Sequence, residues 1–139
     1  LQAGQKDEFA GKIKAKAPAA EILEEVLCRY EEEMMDSSSS LSLAIYEFFS
    51  NPLSAGCSHS IFQQYLASKK MWVELIEYGI GTGEFHPVEP EAVYDVIVFS
   101  YQGVRMYSRL VPVDRAITRR ITGQIKKMLL KAYEKEEDV

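Results

Sequence analysis

Residues 91–110, EAVYDVIVFSYQGVRMYSRL, decide how this chain is to be read. Wound as a helix at 100° per residue, its polar positions Asp95, Gln102, Arg105 and Arg109 fall within roughly a quarter of the circumference. The remainder is apolar or small. A helix packed on a single core needs an apolar stripe little wider than about 100°. This helix therefore has a second face to bury, and that face calls for a partner.

Working outward, Glu89-Pro90 supplies an acidic cap and a proline in the first turn. Upstream, Ser60 and Gln63 form a capping box that opens a long helix through Ile61, Phe62, Tyr65, Leu66, Trp72, Leu75, Ile76 and Ile80, ended by Gly79, Gly81 and Gly83. Downstream, Asp114 caps a last helix with the stripe Ile117, Ile121, Ile125, Met128 and Ala132, and Lys126, Lys127 and Lys131 suit its C-terminal end. Nearer the N-terminus, Ile22, Leu23, Val26, Leu27, Tyr30 and Met34 keep helical spacing behind Pro18, with Glu24, Glu25, Glu31 and Glu32 on a face read as solvated. Ser40 caps a shorter helix to Ser50, in which Glu47 is read as the rim of a buried helix, with a ligand-contacting carboxylate as the alternative. Asn51-Pro52 ends it, and residues 53–59 form a loop. No stretch keeps a strand's period of two. The expected fold class is all-α, a bundle of about five main helices.

The 139 residues suit one domain able to bury a core without staples. We divide them into residues 1–17, a leader or the tail of a connecting helix, and a domain over 18–139. No apolar run approaches the ~20 residues of a membrane span, and Leu1–Ala17 lacks the apolar region of a signal peptide, so the expectation is a cytoplasmic protein without a membrane partner. The chain starts at Leu1 without an initiator Met, which reads as a processed chain or a fragment. Cys28 and Cys57 read as buried free thiols. The net charge of −5 has the wrong sign for gripping phosphates.

The chemistry of an enzyme is thin. Cys57 and His59 lie two apart on a loop with no third orienting group, which is neither a zinc spacing nor a convincing nucleophile and base. His86 reads as a turn residue. We expect no catalytic residue, no metal and no cofactor. What the sequence supplies instead is aromatic and thioether surface: Tyr30, Met34, Tyr46, Phe48, Phe49, Phe62, Tyr65, Trp72, Tyr94, Phe99, Tyr101 and Met106. Each reads singly as core packing. Together with an occasional carboxylate or amide they suit a pocket with a few orienting groups. Asp95 is read as exposed on the polar arc, with a carboxylate at a pocket rim as the alternative.

The run Trp72–Phe85, WVELIEYGIGTGEF, followed by PEAVYDVIVFSYQGVRMYSRL and an amphipathic helix, resembles the C-terminal half of the tetracycline-repressor (TetR) family. The resemblance rests on Gly81, Gly83, Glu84, Phe85, Pro90 and Gly103 and spans about Pro18 to Tyr133. It implies an all-helical domain that homodimerises by packing its last two helices against their twins as a four-helix bundle. Ser100, Gly103, Val104, Tyr107, Ile121, Ile125 and Met128 would form that interface. It also implies a small-molecule effector pocket among the earlier helices, for which Tyr30, Met34, Phe48, Phe62, Tyr65, Trp72, Asp95, Phe99 and Met106 are the candidates. DNA would be reached only through a helix-turn-helix head, and none precedes residue 18. The expectation is thus a ligand-binding and dimerisation domain of a transcriptional regulator. A stand-alone helical module that binds another protein is the alternative.

Overall fold

The computed structural model describes residues 10–35, 58–108 and 110–132. A short helical segment at 10–14 leads into four longer helices: α1 (Ala19–Met35), α2 (Ser58–Thr82), α3 (Pro90–Tyr107) and α4 (Arg115–Leu129). The predicted helix over 40–50 lies outside the described residues, as does Phe48. The all-α class stands.

α1 is the hub. It packs against each of the other three helices, while α3 also packs on α2 and on α4. Its buried residues are Ala19 and the six apolar positions picked out by spacing, Ile22, Leu23, Val26, Leu27, Tyr30 and Met34. They meet Met71, Trp72, Leu75 and Ile76 of α2, Val93, Tyr94, Ile97 and Tyr101 of α3, and Ile125 and Leu129 of α4 in one core.

α2 begins at Ser58, so Ser60 falls inside the helix rather than ahead of it. Its N-terminal apolar residues Phe62 and Leu66 are exposed, and only the C-terminal half from Met71 is in the core. In α3, Pro90 occupies the first turn and Glu89 sits at the N-cap without a side-chain cap bond. The helix ends at Tyr107, three residues before the predicted Leu110. In α4, Asp114 accepts from the Ile117 amide at 3.0 Å, as its cap position requires.

α4 differs from its sequence reading in register. Its buried residues are Thr118, Thr122, Ile125 and Leu129, whereas Ile117, Ile121 and Met128 are half-buried beside them and Ala132 is exposed. The threonines can be inside because their hydroxyls are occupied: Thr118 donates to the Arg115 carbonyl at 3.1 Å, and Thr122 to Glu31 Oε1 at 2.5 Å. Their methyl groups then pack like those of valine.

The acidic face of α1 is not merely solvated. Glu32 takes a forked pair of bonds from Arg115 at 3.0 and 3.4 Å, Glu24 pairs with Lys126 at 2.8 Å, and Glu25 with Lys12. The basic residues of α4 thus align it along α1. Cys28 is exposed on α1, not buried as expected; Cys57 lies outside the described residues.

The turn after α2 closes the bundle. Gly83 adopts φ +85°, the left-handed conformation that glycine takes without penalty. The chain then returns so that the Phe85 ring covers Gly79, where a Cβ would come within 2.2 Å of it. Phe85 bridges Leu130, with the His86 amide on the Leu129 carbonyl at 2.7 Å and the Lys131 amide on the Glu84 carbonyl at 3.1 Å. The Gly-x-Gly-Glu-Phe run is therefore a junction fastening the end of α2 to the end of α4.

Candidate functional site

The sequence-predicted effector residues separate into three places. Tyr30, Met34 and Trp72 are inside the core. Trp72, 0% exposed, donates from Nε1 to the Tyr30 hydroxyl at 3.0 Å and meets the Tyr30 ring edge-on at 5.9 Å. On its other side Tyr30 stacks at 4.3 Å on Tyr101. The Tyr101 hydroxyl donates to Glu33 and accepts from Arg105 Nη1 at 2.8 Å, and the Arg105 guanidinium also lies 5.3 Å from the Tyr101 ring centre. A row thus runs Trp72–Tyr30–Tyr101–Arg105 from the core outward.

Both phenols of this row stay protonated. Burial pushes Tyr30 up to about 12, with the nearby Glu33 carboxylate adding to the rise and the Trp72 bond opposing it. Burial, then the bond to and the charge of Glu33, raise Tyr101 well above the usual phenol value. Arg105 Nε is buried without a hydrogen-bond partner, so the row ends in a donor not fully used by the protein. Arg105, Glu33 and Tyr101 were not among the predicted effector contacts. The signal was present in the (i, i+4) spacing of Tyr101 and Arg105 on one helix face.

A second aromatic group, Tyr65 with Tyr94 at 5.7 Å, Phe62 at 6.2 Å and Phe99 at 6.4 Å, climbs from the core to the surface between α2 and α3. The Tyr94 hydroxyl donates to the Tyr65 carbonyl at 3.3 Å. Asp95 is exposed on the polar side of α3, the plain reading of that residue.

Phe99, at the surface end of that group, and Met106 also reach a third place. They line an open apolar groove of about 830 Å³ formed by α3, residues 110–113 and α4. Ser100, Gly103, Val104, Tyr107 and Ile121 of the predicted interface line it as well, with Leu110, Val111, Val113 and Ile117. Val96, Phe99, Gly103 and Tyr107 recur at helical spacing along α3, and Phe99 is 63% exposed and Leu110 79%. This is the second face of residues 91–110, left uncovered by the described residues. Ile125 is in the core behind it, and Met128 packs against that core. A Cβ at Gly103 would meet no atom within 4 Å.

Among the described residues no group of three His, Cys, Asp or Glu side chains could hold a metal ion, and no helix is long and apolar enough to cross a membrane. The Cys57 and His59 pair lies outside the described side chains.

The described residues thus form an all-helical core with an apolar face on its last two helices that they leave uncovered. The family model described as the tetracyclin repressor-like C-terminal domain matches residues 22–116, more than half of the chain, and the chain belongs to that family. Its place is accordingly that of a regulatory domain of a transcription factor. No curated protein and no solved structure matches the chain.

Proposed function

We propose that this domain homodimerises through the α3–α4 face and binds a small apolar or aromatic effector among the aromatics of α1, α2 and α3. Through these it would govern a helix-turn-helix DNA-binding head not among these 139 residues, in the cytoplasm. The observation that carries the dimer is Gly103. Glycine inside a helix costs about 1 kcal/mol relative to alanine. Among the described residues nothing comes within 4 Å of where a Cβ would stand, so no close approach within the protomer accounts for the glycine. It lies in the floor of an apolar groove, where it lets a second helix approach closely. A twofold pairing of this face with itself would cover Phe99, Tyr107 and Leu110 together.

For the effector, support comes from the row ending at Arg105. The Tyr30 and Tyr101 rings are packed on each other, so what the row offers a ligand is its outer end, where a hydrogen-bond acceptor would satisfy the unused Arg105 Nε. Such a ligand shifts the regulator only by the difference in its affinity for two arrangements of the helices. On this reading the domain has no catalytic role.

Sedimentation of the chain across a concentration series tests the dimer. A stable dimer is expected; a monomer at all concentrations would sink the pairing and favour a module that offers this face to a foreign protein. The effector is readable without labels, since Trp72 is the single tryptophan of the chain. A compound seated on the row changes its emission, and a bound compound that leaves the emission unchanged lies elsewhere.

A further inference from the structure

The segment that leads into α1 is held by an unusual concentration of bonds. Residues 10–14 end in a paired closure in which the Ala17 amide reaches the Lys12 carbonyl at 3.0 Å and the Lys16 amide reaches the Ile13 carbonyl at 3.0 Å. This places Lys16 at φ +59°, where glycine is the usual residue and an L side chain is strained. Something must hold the chain in that reversal.

The holding groups come from the far end of α2. The Tyr78 hydroxyl donates to the Ala17 carbonyl at 2.6 Å. The Glu84 carboxylate accepts the Ala19 amide at 2.9 Å through Oε1 and the Ala20 amide at 3.0 Å through Oε2, capping α1 from a residue 64 and 65 positions away. Thr82 Oγ1 orients the carboxylate with a bond of 2.9 Å to Oε1. Residue 84 is in turn fixed from behind, because its carbonyl accepts the Lys131 amide beyond α4.

We propose that Tyr78, Thr82 and Glu84 form a latch that sets the direction in which residues 10–17 meet the bundle. With the latch closed, the two carboxylate oxygens and the tyrosine hydroxyl grip three points of the Ala17–Ala20 backbone, the Ala17 carbonyl and the Ala19 and Ala20 amides. The incoming segment then has one orientation relative to α2. With it open, the turn at Lys16, the pairing of Lys12 with Glu25 and the packing of Ile13 and Ala17 against the core still hold the segment, but no group of the α2 end fixes its direction. A change in the end of α2, or in its fastening to α4, is thereby passed to whatever precedes residue 10. That last use rests on the regulatory reading above; the latch itself does not.

The test is a pulsed electron-paramagnetic-resonance distance between spin labels on Lys14→Cys and Glu74→Cys, both at exposed positions, with Cys28→Ser and Cys57→Ser. The labelled chain is diluted with unlabelled chain so that only distances within one protomer are read. A single narrow distribution is expected, and its width at least doubles in Glu84→Ala, while hydrogen exchange at the Ala19 and Ala20 amides accelerates at least tenfold. Unchanged exchange at those amides would show that the cap does not exist in solution. Accelerated exchange with an unchanged width would show that the cap does not set direction. Either result overturns the latch. Should Glu84→Ala fail to fold, Glu84→Gln and Thr82→Val retain part of the grip, and each must broaden the distribution by a smaller amount. The measurement uses neither effector nor dimer, so its failure leaves those readings intact and theirs leaves it intact.

Discussion

Glu84 shows how one side chain can carry a structural role that its position in the sequence does not announce. Burial raises the pKa of its carboxyl, but the Ala20 and Ala19 amides and the Thr82 hydroxyl outweigh that and hold it below the ordinary 4.5. A carboxylate with a depressed folded pKa contributes stability that is fully present above its unfolded value and lost as the pH falls through the folded one. The stability difference between the native chain and Glu84→Gln, measured by urea unfolding, should therefore be constant above about pH 6 and shrink as the pH drops below about 4.5. Loss of a helix cap of this kind costs about 0.5–2 kcal/mol. A difference that grows on acidification would contradict the assignment. In the sequence Glu84 is legible only as part of a glycine-bounded turn, because its partners, Ala19 and Ala20, are brought to it by the packing of α1 on α2.

At the scale of the element, α4 is the helix where pattern and packing part. Spacing selects Ile117, Ile121, Ile125, Met128 and Ala132 as its apolar stripe; of these Ile125 is in the core, Met128 packs against it from the edge, Ile117 and Ile121 line the groove and Ala132 is exposed. The core takes Thr118 and Thr122, the first 0% exposed and the second 1%. A hydropathy pattern places threonine with the polar residues, whereas packing values it as a branched side chain whose hydroxyl has a local acceptor. The two threonines should separate on substitution. Thr118 donates only to its own helix, so Thr118→Val leaves stability within about 0.5 kcal/mol of the native chain or raises it. Thr122 also satisfies Glu31, and Thr122→Val should cost about 1 kcal/mol more. Chemical denaturation of the two variants side by side checks the order. α1 presents no such conflict: every apolar position chosen by spacing is buried, because its one face meets all three neighbouring helices.

For the whole molecule, the decisive feature is the face left uncovered on α3 and α4. Substituting Gly103 by leucine should separate association from folding. A Cβ there meets no atom within 4 Å and the rest of the side chain enters an open groove, and leucine favours a helix over glycine by about 1 kcal/mol, so unfolding of the monomer is not made easier. Dimerisation should weaken at least tenfold, read by sedimentation equilibrium. Equal association of Gly103→Leu and the native chain would place the contact elsewhere. The uncovered face was partly readable because a helix apolar on two sides is visible in a helical projection. The assignment of Phe99 and Met106 to this face, and of Ile125 to the core behind it, was not, since neighbouring directions on one helix differ only in what packs there.

The sequence by itself determined the helical class, the apolar face of α1, the proline start of α3, the cap at Asp114 and the surplus apolar face of residues 91–110. All of these are set by local spacing and local backbone chemistry, which need no partner to be read. Only the tertiary structure decided which of the two faces of α3 and α4 meets the core. It also decided that the acidic residues of α1 pair with basic residues of α4, and that Glu84 caps a helix 64 positions upstream. Those outcomes depend on contacts between residues far apart in the chain, where several pairings satisfy the same pattern and close packing selects one.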